Sequence, residues 1–380
     1  MIIGIICEYN PFHNGHLYHL KKIKEMYKDS TVILVMSGSF TERGDLSIIN
    51  KWDKTDIALY YGIDLVVELP FIYASSSADI FAKGAIEILK ELKVEKIVFG
   101  SEINDINILY KLADIQLNNK EYNKIIIKYL EEGFNYPASC GKALYNISNI
   151  NLNTPNDVLG LCYIKEILKQ KANIEAVSIK RTNDYNDRNL NNNITSATSI
   201  RYALKNNQDI KSYVPKYTYK YLKNLFYLDD YFIFIKYKIL TSDITKYIDV
   251  DEKMKNRINK YINECKTLDD LILKIKCKNY SYNRIKRMLV HILVDLKKED
   301  MTYNNYIRIL GFNNKGKLYL NKIKKDIKLP LITNYSDSLG LLNLDYKINC
   351  ILALALPINL QKQFIENEKK RKIIFFDENA

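Results

Sequence analysis

The stretch "GIICEYNPFHNGHLYHL", residues 4–20, carries three of the four histidines of this chain, His13, His16 and His19. An apolar run over residues 2–7 predicts a strand, and helical spacing follows the loop. His13 and His16 are three residues apart, so they share one face if a helix begins at about Asn14. A strand, a loop and a helix in this order predict a parallel α/β unit whose ligand lies beyond the carboxyl end of the strand.

The same alternation continues along the chain. Apolar runs predict further strands at residues 31–38, 64–70, 94–102 and 174–181, with helical patterns at 17–27, 50–62, 78–92, 104–150 and 153–168. This order predicts an α/β fold with a Rossmann-like parallel sheet. A further helix enters at "ITSATSIRYAL", with Ser196 or Thr198 as its cap. Beyond Pro215 helical spacing dominates, apart from a short α/β excursion after residue 300. We therefore expect a catalytic domain over 1–215 and a mainly α-helical basic domain over 216–380.

The charge is distributed unevenly between these two parts. Residues 1–215 contain 25 basic and 25 acidic side chains, whereas residues 216–380 contain 32 basic and 19 acidic ones, so the whole net charge of +13 lies in the second part. Such asymmetry favours a polyanionic partner, with nucleic acid as the leading candidate. Solvated lysines on helices would give the same count, and that alternative stays open.

Cysteine usage and hydropathy bear on the compartment. The six cysteines show no CxxC spacing, which argues against a zinc site or a disulfide framework. The first residues lack the basic segment of a secretory signal, and no apolar run reaches membrane-spanning length. We expect a cytoplasmic protein with reduced thiols and no membrane partner.

The His-Asn-Gly-His segment suits phosphate chemistry. Imidazoles donate hydrogen bonds, Gly15 permits close approach of a ligand, and the N-terminus of the following helix offers free N–H groups to an anion. Together they could hold a nucleoside triphosphate and stabilise charge on the departing pyrophosphate. A metal site formed by His13, His16 and His19 is the competing interpretation, although the sequence shows no clustered acidic or cysteine ligand beside them.

Longer motifs carry a family resemblance. The segments "EYNPFHNGH", "VMSGSFTERG", "KWDKTDIAL", "GIDLVVELPFIYA", "ADIFAKGA", "FGSE", "PNDVLG", "IKR" and "SATSIR" occur in this order, and "YIRILGFNNKGKLYL" extends the likeness beyond residue 300. The chain resembles the tRNA(Met) cytidine acetate ligase family of the HxGH nucleotidyltransferase superfamily. The resemblance implies that ATP and acetate form acetyl-adenylate, and that the acetyl group passes to N4 of the wobble cytidine of elongator tRNA(Met), forming N4-acetylcytidine.

The resemblance also implies site residues. His13, His16 and Arg201 would be catalytic. The ATP site would contain Ile6, Cys7, Glu8, Tyr9, Asn10, Pro11, Phe12, His13, Asn14, Gly15, His16, Leu17, Tyr18, His19, Gly100, Asn156, Arg181, Ser196 and Thr198. Ordinary roles compete with several of these: a turn glycine at 100, a helix cap at 156, and solvated arginines at 181 and 201. Mg²⁺ is expected because ATP phosphates carry it, and no dedicated carboxylate cage is evident.

Other residues are assigned by position and charge. Glu42, Arg43, Asp45 and Lys51 follow the second strand and could line the acetate or cytidine side. Candidate tRNA contacts are Arg257, Lys260, Arg284, Lys286, Arg287 and Lys317, with Tyr282 available to stack on a base. In the polar loop, Asn186 stands where the resemblance implies histidine. No obligate protein partner is indicated.

Two other functions remain open at this stage. One is a small-molecule adenylyltransferase or cytidylyltransferase, for which the basic second part has no evident use. The other is a non-catalytic RNA-binding protein of the same fold, against which the intact His13, Gly15, His16 and Arg201 argue.

Overall fold

A computed structural model describes residues 1–181, 195–302 and 304–377 of the chain. Within these ranges one sheet has the strand order β5-β4-β1-β2-β3-β6-β7, and β8 also pairs with β6. The strands are β1 (Ile2–Cys7), β2 (Thr31–Ser37), β3 (Leu65–Leu69), β4 (Lys96–Ser101), β5 (Glu175–Lys180), β6 (Ile307–Asn313), β7 (Leu331–Ile332) and β8 (Ile374–Phe376).

Helices cover both faces of this sheet and form most of the second half. They are α1 (Asn14–Met26), α2 (Lys51–Tyr60), α3 (Phe71–Ala74), α4 (Ala78–Glu91), α5 (Ile106–Asn118), α6 (Lys120–Glu131), α7 (Tyr136–Ser148), α8 (Pro155–Lys169), α9 (Ala197–Lys205), α10 (Lys216–Tyr219), α11 (Phe232–Thr241), α12 (Glu252–Tyr261), α13 (Leu268–Ile275), α14 (Tyr282–Leu293), α15 (Asn314–Ile323), α16 (Asn343–Ala353) and α17 (Ile358–Lys370).

The five predicted strands pair in parallel as β5-β4-β1-β2-β3. The central strands β1 and β2 read as nearly continuous apolar runs because helices cover the sheet on both faces there, and every residue of β2 and β3 is buried. The outer strand β5 is partly exposed. The predicted α/β class is confirmed. The site-bearing loops therefore emerge together at the carboxyl ends of the parallel strands.

A strand from the second half joins the same sheet. β6 runs antiparallel to β3, with Glu68 beside Arg308 in the register, so the sheet is mixed rather than wholly parallel. The second half is mainly helical, as expected. The boundary near residue 215 stays a prediction, and the sheet runs across it, since β6, β7 and β8 all belong to residues after 300.

A buried ion cluster surrounds this antiparallel junction. Lys51 of α2 contacts the carboxylates of Glu68 and Glu368, each at 2.9 Å, and Arg308 pairs with the same two carboxylates. All four side chains are 5% exposed or less. The opposite charges compensate one another, which makes burial tolerable, and the cluster ties α17 to the sheet.

Among the described helices, none is long and apolar enough to cross a bilayer. All six cysteines are unpaired thiols, which agrees with the absence of a disulfide framework from the sequence pattern.

Candidate active site

An open cleft lies at the carboxyl ends of β1, β2, β4 and β5. It encloses about 1400 Å³, counting the solvent at its mouth, and a second cavity of about 860 Å³ adjoins it. The two cavities share part of their walls, formed by Ile6, Cys7, His13, His16, Asn156, Leu159, Tyr163 and Arg181. Four separate segments of the predicted ATP site therefore meet here, from the β1 loop, α8, the end of β5 and the start of α9.

The two histidines predicted to be catalytic, His13 and His16, form the N-terminal cap of α1. His13 is the N-cap of α1, and its Nδ1 accepts a hydrogen bond from the backbone N–H of Gly15 at 3.0 Å. The backbone N–H of His13 in turn donates to Nδ1 of His16 at 3.2 Å. Because a backbone amide can only donate, both Nδ1 atoms lack a proton and Nε2 of each neutral ring carries one. The pair thus offers two N–H donors at the N-terminus of a helix.

Burial keeps these imidazoles neutral. It lowers the pKa of His13 to about 3, and the positive charges of Arg181 and Arg201 act in the same direction. Burial also lowers the pKa of His16 well below its usual value, with further repulsion from His13 and Arg181. The ring centroids of His13 and His16 are 3.8 Å apart. Two cations at this distance would repel strongly, so the rings act as hydrogen-bond donors rather than as charges.

Arg201 reaches across the cleft from α9. Its guanidinium donates to the carbonyl of Asn10 at 2.8 Å, to Asp45 at 3.2 Å and to the hydroxyl of Thr198 at 3.3 Å. Ser196 is the N-cap of α9 and accepts from the backbone N–H of Ser199. The N-terminus of α9 therefore lies at the cleft. The Arg201 guanidinium beside it is held by three acceptors of the protein, so Arg201 is not a solvated arginine.

Glu102, directly after β4, holds two predicted site residues. Its carboxylate accepts from the amide of Asn156 and lies 3.3 Å from Nε of Arg181. Asn156 is therefore not a cap: Thr154 occupies the N-cap position of α8. A Cβ added at Gly100 would lie 3.1 Å from Cγ of Arg181. This glycine makes room for the arginine, and it also lines the second cavity.

Several predicted ATP-loop residues do not line the cleft within the described chain. The ring of Phe12 is buried and stacks on Tyr61. The Asn14 amide donates to the carbonyl of Ser212, and Leu17 packs on the core cluster under the sheet. Pro11, between Asn10 and Phe12, is likewise buried. These residues shape the loop without facing its ligand side, because successive residues of a turn point in different directions.

Lys51 requires a correction. The sequence suggested that it lines the acetate or cytidine side, but it lies in the buried ion cluster with Glu68 and Glu368. Helical geometry explains the difference, since α2 turns Lys51 toward β3 and Lys54 toward the cleft floor. Asn186 lies outside the described residues.

The loop after β2 meets α14 at the cleft. Asp45 pairs with both Arg201 and Lys286, and Glu42 pairs with Arg287 at 3.2 Å. Burial alone would raise the pKa of Asp45, but Lys286 and Arg201 together hold it below its usual value. Two of the candidate tRNA contacts are thus committed to acidic groups of the cleft wall in this state.

The other candidate tRNA contacts have different surroundings. Arg284 forms an ion pair with Asp249 and lies over the ring of Tyr280. Arg257 donates to the carbonyls that end α13, including that of Ile275 at 2.6 Å. Lys260 is exposed on α12 beside Tyr261, and the hydroxyl of Tyr282 bonds to Asp269. Arg257 and Lys260 lie on α12, and Tyr282 and Arg284 lie on α14.

The structure does not place Lys317 near the other candidate tRNA contacts. It lies on α15, whose first residues contact the amino ends of the parallel strands: Lys315 donates to the carbonyls of Asp29 and Ser30 just before β2. Tyr319 on the same helix contacts Leu92, before β4. Lys317 therefore lies at the edge of the sheet opposite to the cleft.

Sequence reasoning missed the buried lysine beneath the site. The Lys54 ammonium contacts the carbonyls of Glu8, Ser37 and Gly38 at 3.1, 2.7 and 2.8 Å, and Oγ of Ser47 at 3.0 Å. It joins the loops after β1 and β2. Burial lowers its pKa to about 7. Its position in "KWDKTDIAL" was visible, but its partners lie in separate segments.

Unpaired polar atoms mark a place for a ligand. Nε2 of His19 and Oε2 of Glu102 are buried without a hydrogen-bond partner in the described part of the chain, and Nε of Arg181 has its ion pair with Glu102 but no hydrogen bond there. Such atoms are rare in folded proteins and indicate an absent polar partner. Within these ranges, no group of three or more His, Cys, Asp or Glu residues is arranged to hold a metal ion.

Comparisons with known proteins agree with this geometry. A family model described as HIGH Nucleotidyl Transferase matches residues 1–368. The chain is 44% identical over 341 residues to a tRNA(Met) cytidine acetate ligase from Caldicellulosiruptor saccharolyticus, covering 86% of this chain and 85% of that one. It is 39% identical to the protein of the same name from Clostridium acetobutylicum, covering 96% and 94%.

Solved structures show the same fold. The apo crystal structure of Thermotoga maritima TmcAL superposes with a TM-score of 0.92 at 29% identity, covering 99% of each chain. A second crystal form of that protein, bound with alpha-thio ATP, superposes with a TM-score of 0.89 at the same identity and coverage.

Proposed function

This chain belongs to the tRNA(Met) cytidine acetate ligase family of HIGH nucleotidyl transferases and is a ligase, and we propose that it acetylates N4 of the wobble cytidine of elongator tRNA(Met). ATP and acetate are the co-substrates. The reaction has two steps, adenylation of acetate and transfer of its acetyl group to the cytidine amine. N4-acetylcytidine, AMP and pyrophosphate are the products.

The pair of neutral histidines carries the proposal for the first step. A carboxylate oxygen of acetate attacks the α-phosphorus of ATP, and the bond to pyrophosphate breaks. Nε2–H of His13 and of His16 donates to phosphate oxygens as negative charge develops on them. Arg201 and the N-termini of α1 and α9 act on the same charge. These donors are held in place before the reaction, so little reorganisation opposes it.

The second step requires a base to be exposed to the acetyl-adenylate. A wobble cytidine lies in a single-stranded loop, so presenting its amine costs little stacking energy. We assign tRNA contacts to Arg257, Lys260, Arg284, Lys286 and Arg287, which lie on helices after residue 250. Arg284 on α14 is best placed, because that helix also contributes Asn283 to the cleft wall.

In the proposed reaction, Mg²⁺ takes part as a complex with ATP. The described cleft residues include acidic side chains engaged by arginines but no group suited to hold a metal ion by itself. We therefore propose that the ion arrives on the ATP phosphates. The reduced thiols fit a cytoplasmic reaction. Residues 1–215 would supply the ATP site and residues 216–380 the tRNA surface.

One assay tests the function. The full chain is incubated with ATP, labelled acetate and bulk tRNA, and label in RNA is followed together with release of AMP. Label in nuclease-released N4-acetylcytidine supports the proposal. An adenylylated small product would instead indicate a small-molecule adenylyltransferase. Absence of ATP turnover would indicate a non-catalytic RNA-binding protein.

A further inference from the structure

Glu8 differs from the other acidic side chains of the cleft. Asp45 pairs with Arg201, Glu42 pairs with Arg287 of α14, and Glu102, directly after β4, pairs with Arg181. In the described part of the chain, the Glu8 carboxylate has no cation within 4 Å, and its Oε1 accepts one hydrogen bond, from the backbone N–H of Glu42 at 2.7 Å. Among these four described carboxylates it is the one without an ion pair, so accepting a proton breaks none.

The second step of the proposed reaction needs such an acceptor, and the inference rests on that proposed function. The N4 lone pair attacks the acetyl carbonyl carbon, and the bond from that carbon to the phosphate oxygen of acetyl-adenylate breaks. The electron pair leaves with AMP, which departs as an anion and needs no proton. N4 must lose one proton to become the neutral amide. Some group in the cleft has to take it.

The histidines are poorly suited to this task. Nδ1 of His13 and Nδ1 of His16 already accept backbone N–H bonds, and Nε2 of each carries a proton. Protonating either ring would break the cap of α1 or bury a cation. The arginines of the cleft are cations, and the paired carboxylates would lose an ion pair on protonation.

We propose that Glu8 is the general base that accepts the N4 proton of the cytidine during acetyl transfer. Its position supports the role. It directly follows β1 and lines the cleft together with His13 and with Asn283 of α14. Lys54 fixes the Glu8 carbonyl, and the Glu42 amide fixes its carboxylate. Glu8 therefore lines the same cleft as the adenylation donors and as Asn283 of the helix to which we assign tRNA contacts.

The ionisation of Glu8 is compatible with this chemistry. Burial raises the pKa of its carboxyl to about 6, and the charge of Glu42 acts in the same direction, while the Glu42 amide, Arg43 and Lys54 oppose it. A base with a pKa near the working pH balances being ionised against proton affinity. The titratable groups that face it are Cys7, Glu42, Arg43, Lys54 and Tyr163.

Measuring the two steps separately tests the assignment. Acetate-dependent ATP–pyrophosphate exchange reports adenylation, and single-turnover transfer from enzyme-bound labelled acetyl-adenylate to a tRNA(Met) transcript reports the second step. For Glu8→Gln we expect transfer to fall about a hundredfold or more, and by a clearly larger factor than exchange. Glu25→Gln, an exposed carboxylate on α1, is the matched control and should change neither step.

A pH profile supplies the second measurement. The wild-type transfer rate should rise with pH through an inflection at about 6, the pKa of Glu8, and the inflection should disappear in Glu8→Gln. Glu8→Asp should keep it at a reduced rate, and this variant decides the matter if Glu8→Gln does not fold.

Three results would overturn the inference: transfer at the wild-type rate in Glu8→Gln, a wild-type profile without the inflection, or equal loss of exchange and transfer. If the wild-type chain exchanges pyrophosphate but labels no tRNA, the proposed function fails and Glu8 is not the reason.

Discussion

His13 and His16 each occupy Nδ1 of their imidazole with a backbone N–H, that of Gly15 for His13 and that of His13 for His16. Since the pKa of His13 is lowered to about 3 by burial and by Arg181, both rings should be neutral Nε2–H tautomers at about pH 6, where an ordinary imidazole is largely charged. Long-range ¹⁵N–¹H spectra of the free protein should show this tautomer, unchanged up to about pH 8. A titration centred near the ordinary histidine value of about 6.5 would contradict the buried, capping arrangement.

Removing the His16 imidazole should strongly slow adenylation. His16→Ala should lower acetate-dependent pyrophosphate exchange on the order of a hundredfold or more, with tRNA binding near the wild-type level, because the donor acts on charge formed in the transition state. His16→Asn separates the two uses of the ring, since an amide oxygen can still accept the His13 N–H. We expect His16→Asn to keep the melting temperature and to lose the exchange. Retention of most exchange in either variant would remove His16 from the catalytic group.

Lysine should not replace either arginine of the proposed phosphate site. Arg201 spans acceptors on three segments, and Arg181 packs over Gly100, which a point charge on a flexible stem cannot reproduce. Arg201→Lys and Arg181→Lys should each lower kcat/KM for ATP in the exchange assay by about tenfold or more, equivalent to about 1.4 kcal/mol. Arg371→Lys, on the exposed end of α17, serves as the control. Full activity in one of the two cleft variants would mean that this arginine does not contact phosphate.

The buried ammonium of Lys54 should support both stability and activity. Lys54→Met leaves three carbonyls and a hydroxyl without their shared donor, and each unsatisfied buried group costs about 1–3 kcal/mol. We expect a loss of several degrees in melting temperature and a higher KM for ATP, because the β1 loop loses its anchor. Lys22→Met, at an exposed residue that pairs with Glu25, should change stability by less than about 0.5 kcal/mol. Equal melting temperatures for the two variants would refute the anchoring role.

Binding of tRNA should depend on α14 and on salt. Arg284→Ala should weaken filter binding of tRNA and reduce the salt slope by about one, yet leave tRNA-independent exchange intact. Arg284 is a cleaner target than Arg287, whose loss would also release Glu42 in the cleft. Lys322→Ala on α15, at the opposite edge of the sheet, is the control. If both variants bind equally, α14 does not hold the tRNA.

Part of this structure was accessible from the sequence alone. The central strands β1 and β2 are nearly continuous apolar runs, and such runs are diagnostic because both of their faces are covered. The histidine loop is contiguous, so its place after β1 and its helix could be predicted together. Ser196 was predicted as one of two candidate caps of α9 by its residue type, and the structure bears this out.

The rest depends on partners that are distant along the chain. β6 includes Arg308, a charge that argues against a central buried strand until Glu68 and Glu368 are known to compensate it. Lys51 and Lys54 look equivalent in "KWDKTDIAL", and only the orientation of α2 sends one to the ion cluster and the other to the cleft. The sequence places Glu8 in the predicted ATP loop. Its lack of a cationic partner is a property of the assembled cleft, so no local sequence pattern indicates it.

The antiparallel pairing of β6 with β3 has a consequence for biosynthesis. Glu68 and Arg308 are 240 residues apart, so at about 5–20 residues per second the ribosome needs roughly ten to fifty seconds to supply the second after the first. During that interval β3 has an open edge and Glu68 lacks its arginine. An unpaired strand edge is a template for wrong pairing. The nascent chain is therefore most exposed to aggregation and to chaperone capture in this window, and synonymous codons that slow translation between these two residues should lower the soluble yield.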